Sequence, residues 1–229
     1  MAPAEKKKVV IVGGSFAGLK AAYELLGHGF DVTVVDSRDF FEHTPYTLNS
    51  LAALNPDVPS TLIDFPAARF RAVHGVATGV TVAGAGGTVA IRDGVPLPFD
   101  YCLLAVGSTY PGGLIKTDPA VLVTKAQRAA AVEAGRAAVR AAASVAVVGG
   151  GSVGVELAAE VAEAYPACKV TLISSSSRLL ERMDEKASAY ALAWLQRRGV
   201  DVALGERVAG ARPGGCREPS PVCLHGLLG

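Results

Sequence analysis

Residues Gly13, Gly14, Ser15, Phe16, Ala17 and Gly18 form a glycine-rich turn whose types and spacing suit an anion cradle. Backbone N–H groups freed where a strand bends into a helix can hold a pyrophosphate, because both the unpaired donors and the helix dipole favour negative charge. About 20 residues further on, Asp36 ends an apolar run, an acid placed to accept ribose hydroxyls. The turn recurs as Gly149-Gly150-Gly151-Ser152-Val153-Gly154, now with all three glycines of the G-x-G-x-x-G spacing. In the first copy the middle glycine is Ser15, which is expected to weaken binding of a phosphate rather than abolish it.

After the second copy, where a nucleotide site would place its acid, the chain reads Ser174-Ser175-Ser176-Ser177-Arg178. Without a carboxylate to repel a 2′-phosphate, NADPH becomes admissible beside NADH, and Arg178 is expected to pair with that phosphate. The bland alternative is a surface arginine near a helix start. A lone glycine turn that binds nothing is equally the alternative for either copy taken singly. Two copies in one chain, each with a strand before it and a helix and strand after it, make a far more specific signal.

These turns need particular elements around them. Val9-Val10-Ile11-Val12 is a short β-branched run that suits a strand covered on both faces, followed by a helix through Lys20–Leu26 and a strand over Val32–Val35. Ser144–Val148, Val155–Val161 and Lys169–Ile173 repeat that order, and Gly199–Val208 fits a third strand. Between the copies, residues 70–99 read as a strand and a small antiparallel meander with turns at 84–87 and 92–94. Asp100–Ser108 reads as another buried strand ending in a glycine turn. Residues 37–48, with Pro45 among aromatic and polar residues, read as a loop leading into a short helix. Thr124–Ala143 is dense in alanine and is expected to be a helix with its arginines on a solvated face.

Composition narrows the class. The chain has 229 residues, half of them apolar, a formal net charge of +1 and 26 glycines, so it can bury a sizeable core and carries no basic excess for nucleic acid. Cys102, Cys168, Cys216 and Cys223 show no C-x-x-C spacing; Cys102 and Cys168 are expected to be buried as small hydrophobes in a reducing compartment. No metal site is expected. His43 and His74 are more simply read as hydrogen-bonded residues than as catalytic ones. No signal region or membrane span is evident, and a cytoplasmic location is the default expectation.

The two turns, Asp36, the meander and Ala105-Val106-Gly107-Ser108 together resemble the two-dinucleotide flavoprotein oxidoreductases. More narrowly, Phe40-Phe41-Glu42-His43-Thr44-Pro45 and Gly151-Ser152-Val153-Gly154-Val155-Glu156-Leu157-Ala158-Ala159-Glu160 resemble the branch like apoptosis-inducing factor, which includes the ferroptosis-suppressor flavoproteins and is related to type II NADH dehydrogenases. The resemblance covers about residues 8–208. It implies an α/β fold of two Rossmann-like dinucleotide-binding units, the second inserted in the first and incomplete. It implies hydride transfer from NADPH or NADH to N5 of a bound FAD, then electron transfer to a quinone-type acceptor. Carried over by motif, residues 13–18 hold the FAD pyrophosphate and Asp36 its adenosine ribose. Ala77 meets the adenine through its backbone, and Gly107 lies over the cofactor. Gly149, Gly151 and Gly154, with Ser152 and Val153, hold the nicotinamide nucleotide. Glu156 matches a family glutamate near nicotinamide and flavin, an electrostatic role whose alternative is an acid favoured by the helix dipole. Asn49 stands where related proteins can have an arginine that contacts FAD. The loop that carries a redox cysteine pair in disulfide reductases has no cysteine here, so thiol–disulfide chemistry is not expected.

The expected organisation is an FAD-binding domain at 1–110, a linker and helix at 111–143, a truncated NAD(P)H-binding domain at 144–208, and a disordered tail at 209–229 rich in glycine, proline and arginine. The resemblance also implies a Gly-Asp segment for the FAD ribityl chain and an interface domain, which this sequence does not show. Sheet edges are therefore expected to lie open. A nucleotide-binding remnant without turnover, able to serve as an interaction partner of longer relatives, is the second reading. Full-length relatives could touch a membrane peripherally.

Overall fold

Every strand of the two larger sheets runs parallel to its neighbours, and both sheets have the same strand order. The computed structural model describes residues 5–52, 58–66, 68–110, 114–208 and 222–225. The chain divides into two units, one of residues 1–43, 62–109 and 117–129, the other of residues 44–61, 110–116 and 130–229.

In the first unit, β1 (Lys8–Val12), α1 (Phe16–Gly27) and β2 (Asp31–Asp36) form the opening strand–helix–strand. Alternate residues of β1 enter two separate apolar clusters. Val9 and Ile11 meet Ala22, Val32, Val34 and Phe70 on one face, while Val10 and Val12 meet Val35, Val89, Leu97 and Phe99 on the other. This two-faced burial is why the run shows no polar alternation. Each buried valine, isoleucine, leucine or phenylalanine here contributes roughly 1.5–3 kcal/mol. Phe30 closes α1 by donating its N–H to the Leu25 carbonyl, which returns the chain to β2.

Residues 37–48 depart from the expected loop. Here β3 (Phe40–Glu42) precedes α2 (Pro45–Leu51, in the second unit) and pairs antiparallel with β4 (Leu62–Asp64). The strand was hidden because three residues are too few to show a period. Then β5 (Arg71–His74) joins the sheet beside β2, and β6 (Ala77–Ala83), β7 (Gly86–Ile91) and β8 (Leu97–Phe99) form the meander. The outer strand β9 (Tyr101–Leu104) completes the order β5-β2-β1-β9. It was expected to be buried, yet Leu104 is 63% exposed and Tyr101 56%. As an edge strand it is flanked on one side only.

The helix α3 (Lys125–Ala141) begins in the first unit and ends in the second. In the second unit, β10 (Ser144–Val148), α4 (Ser152–Ala164), β11 (Lys169–Ser174), α5 (Glu185–Arg197) and β12 (Asp201–Leu204) follow. Val145 and Val147 pack with Leu157, Ala158 and Val161 of α4. The tail needs correcting at residues 222–225, which form β13 (Val222–His225), parallel to β10, where an irregular chain and an open edge were expected. Residues 209–221 and 226–229, also in the expected tail, lie outside the described residues. The sheet order β12-β11-β10-β13 thus matches β5-β2-β1-β9 strand for strand, the 3-2-1-4 order of dinucleotide-binding folds. Among the described residues, no helix is long and apolar enough to cross a membrane.

Candidate functional site

Each glycine turn begins with its first glycine in the left-handed region, Gly13 at φ 107° and Gly149 at φ 118°. In each, that glycine donates its N–H across to the neighbouring strand, Gly13 to Val35 and Gly149 to Ile173, both at 2.8 Å. The third glycine backs onto the first. A Cβ on Gly18 would lie 1.8 Å from the Gly13 oxygen, and one on Gly154 lies equally close to the Gly149 oxygen. Only glycine lets the helix start so near the turn, which is what aims the helix's first N–H groups out of the sheet end.

The middle position behaves differently. Ser15 has φ −98° and ψ −162°, and Gly151 has φ −76° and ψ −176°. Both are extended, so the backbone there admits any residue, and neither makes a side-chain cap. Phe16 and Ala17 are exposed at the start of α1, as Ser152 is at the start of α4, while Val153 is half-buried. Gly14 is crowded by Phe65, whose ring would come within 2.6 Å of an added Cβ.

Asp36 sits at the C-terminal end of β2, 8% exposed, and its carboxylate is fully engaged. Oδ2 accepts from the Gly14 N–H at 2.6 Å and from Arg38 Nη2 at 3.1 Å; Oδ1 accepts from Arg38 N and Nε, both at 2.9 Å. A carboxylate has about four lone-pair sites, and these bonds fill them. Burial works against the Arg38 charge, but hydrogen bonds and the charges of Asp36 and Glu42 outweigh it and hold the guanidinium more basic than usual. Arg38 also approaches Glu42 at 4.0 Å, and Glu42 accepts from Arg128 Nε and Nη2 at 2.9 and 2.7 Å. Glu42 and Arg128 are each 1% exposed. The arginines of α3 were expected in solvent; Arg128 instead crosses a buried ion-paired chain, because a partner carboxylate on β3 offsets its desolvation. Sequence reasoning missed Arg38, Glu42 and Arg128; the one available signal was an arginine two residues after the acid.

At the second turn the same place is held by Ser174. Its Oγ accepts the Ser176 N–H at 3.2 Å, as Asp36 accepts that of Arg38. Ser176 Oγ donates to Glu181 Oε2 at 2.7 Å. Arg178 turns its guanidinium onto main-chain carbonyls, Nη1 to Met183 at 3.0 Å and Nη2 to Glu181 at 2.5 Å.

Glu156 is exposed on α4, and partial burial pushes its carboxyl above the usual range. One turn later, Glu160 is raised by burial first and then by the charges of Glu156 and Glu163, although Asn49 Nδ2 donates to its Oε1 at 2.5 Å. Its Oε2 is buried without a hydrogen-bond partner. Ala77 opens β6 half-buried, and Gly107 lies exposed after β9 at φ 68°. His74 Nε2 lies 2.9 Å from the Ser37 oxygen, and the His43 ring packs edge-on against Phe16 and Phe41. Cys102 and Cys168 are free, half-buried thiols made less acidic by burial.

A family model described as pyridine nucleotide-disulphide oxidoreductase matches residues 7–220. Human ferroptosis suppressor protein 1 is 33% identical over 214 residues, covering 88% of this chain and 53% of the relative. The chain therefore spans about half the length of that curated relative. Among solved structures, a putidaredoxin reductase–putidaredoxin complex aligns with a TM-score of 0.74 at 23% identity, over 96% of this chain and 58% of that one. NDH2 from Plasmodium falciparum, in complex with NADH, aligns with a TM-score of 0.66 at 17% identity, over 87% and 48%.

Proposed function

Because the chain belongs to the pyridine nucleotide-disulphide oxidoreductase family, we propose that it is an FAD-dependent NAD(P)H oxidoreductase, with FAD at the turn of residues 13–18 and a nicotinamide nucleotide at the turn of residues 149–154. One observation carries this reading: a single strand–turn–helix geometry occurs twice, with an acid after one copy and a serine after the other. A fold that merely needed two tight turns would not call for the same left-handed glycine, the same helix-to-carbonyl approach and the same cross-strand bond in both.

When bound, FAD supplies a hydride acceptor for the nicotinamide and a relay of electrons to a quinone-type acceptor. The chain's own residues bind and orient. The N–H groups of Phe16, Ala17 and Gly18 hold one pyrophosphate, and those of Ser152, Val153 and Gly154 the other. Asp36 takes the adenosine ribose by exchanging bonds with Arg38. Ala77 meets the adenine through its main chain, and Gly107 leaves room over the cofactor. Glu156, less acidic than usual, sets the charge beside the nicotinamide. Residues 1–110 form the FAD part and residues 144–208 the nicotinamide-nucleotide part, electrons pass on to a quinone-type acceptor, and any membrane contact is peripheral.

A second reading, a nucleotide-binding chain without turnover, is favoured by the Asp36 carboxylate, whose acceptor sites Arg38 and Gly14 already fill. Colour separates the two. The purified chain with added FAD is expected to become yellow and to bleach with NADH or NADPH under anaerobic conditions. A yellow protein that stays oxidised supports binding alone, and a colourless one that takes up no FAD ends the oxidoreductase reading; failure to bind NADH and NADPH as well ends the second.

A further inference from the structure

The turn after β11 brings a carboxylate to the place where the sequence lacks one. Val12 lies opposite Val35 in the first sheet, and Val148 lies opposite Ile173 in the second. Ser174 therefore occupies the position of Asp36, and each side chain accepts the N–H two residues along. The difference comes next. Arg38 lays its guanidinium on Asp36, whereas Ser176 donates its hydroxyl to Glu181 Oε2 at 2.7 Å.

The loop itself delivers Glu181 there. Its neighbour Leu180, in the left-handed region at φ 50°, donates its N–H to the Gly150 carbonyl at 2.8 Å, inside the glycine turn. Ser174 Oγ stands so close to Gly150 that an added Cβ would come within 2.5 Å of it. Gly150, Ser174, Ser176 and Glu181 thus form one rim. Arg178, the residue first expected to meet a 2′-phosphate, gives two of its donors to the carbonyls of Glu181 and Met183 and so fixes this turn from behind.

We propose that Glu181 determines the nucleotide specificity of the second turn, in favour of NADH. Its carboxylate accepts the adenosine 2′-hydroxyl, as the strand-end acid does in the first turn, and repels the 2′-phosphate of NADPH. A hydroxyl can donate to a carboxylate; a phosphate ester oxygen carrying negative charge cannot, and it adds like-charge repulsion. The assignment rests on the reading of residues 149–154 as the nicotinamide-nucleotide site.

Binding of NADH and of NADPH to the full chain, followed by fluorescence of the reduced nicotinamide without turnover, tests it. NADH is expected to bind about tenfold more tightly than NADPH, or better, with the gap narrowing as salt screens the repulsion. Glu181→Gln closes the gap by tightening NADPH, and Glu181→Arg reverses the order. Ser176→Ala, which releases the Glu181 carboxylate from its tether, moves in the same direction by a smaller factor. Tighter NADPH than NADH in the unmodified chain, or a ratio that Glu181→Gln leaves unchanged, overturns the specificity assignment alone. If neither dinucleotide binds, the nucleotide site falls and this assignment falls with it.

Discussion

Arg38 gives three hydrogen bonds to the carboxylate of Asp36, one from its main chain and two from its guanidinium. A ribose can reach this acid only by displacing part of that contact. Hydrogen bonds to charged groups are worth about 1.5–3 kcal/mol each, so the exchange costs affinity. Arg38→Gln is expected to tighten FAD binding by several-fold, on the order of 1 kcal/mol, while Asp36→Ala weakens it by at least about tenfold. Quenching of flavin fluorescence on titration measures both. Weaker binding in Arg38→Gln would mean that the guanidinium helps the ligand instead of competing with it.

The pair Glu42–Arg128 fixes the start of α3 to β3 with both partners almost wholly out of water. Removing one charge takes away the other's closest opposite charge while it stays buried, which typically costs about 3–5 kcal/mol. Arg128→Ala should lose that much in urea unfolding. Glu42→Gln combined with Arg128→Met should lose clearly less than the sum of the single changes. Additive losses would show that the pair is not coupled.

Gly18→Ala and Gly154→Ala each place a methyl group against a carbonyl oxygen, and should destabilise their units by more than about 2 kcal/mol. Ser15→Gly and Gly151→Ser, at extended backbone positions, should stay within about 1 kcal/mol. Thermal unfolding followed by circular dichroism compares the four. An unfolded Gly151→Ser variant would refute the backbone argument.

Glu160 is held less acidic than its ordinary 4.5 by burial and by the charges of Glu156 and Glu163. A carboxyl whose folded pKa is raised favours the fold below its unfolded value and loses that contribution as pH rises through the folded value. Glu160→Gln should therefore raise the Tm at neutral pH, where the carboxylate is charged, with the gain vanishing in acid, where it is protonated folded and unfolded alike. A gain that is constant across that range would point to packing rather than titration.

Much of the architecture was legible because its signals are local. Val9–Val12 and Val145–Val148 show their burial in composition alone, Gly13 and Gly149 are required by their own backbones, and Gly18 and Gly154 by the carbonyl of the first glycine of each turn. What stayed hidden depends on partners far along the chain. Arg128 reads as one more solvated helix arginine until β3 places Glu42 opposite it. The exposure of Leu104 follows from its strand lying outermost, which no property of Tyr101-Cys102-Leu103-Leu104 announces. Ser174 does mark the missing acid, yet Glu181 reaches the rim only through the fold of its loop.

The extended backbone shared by Ser15 and Gly151 bears on how such turns are recognised in genomes. A pattern that insists on three glycines would pass over the first unit of this chain, although its strand, turn and helix are all formed. A filter built on torsion sign would keep glycine compulsory where the chain turns left-handed and where the helix abuts the carbonyl. It would leave the residue between free to drift among small side chains, and so gather divergent cousins that letter matching discards.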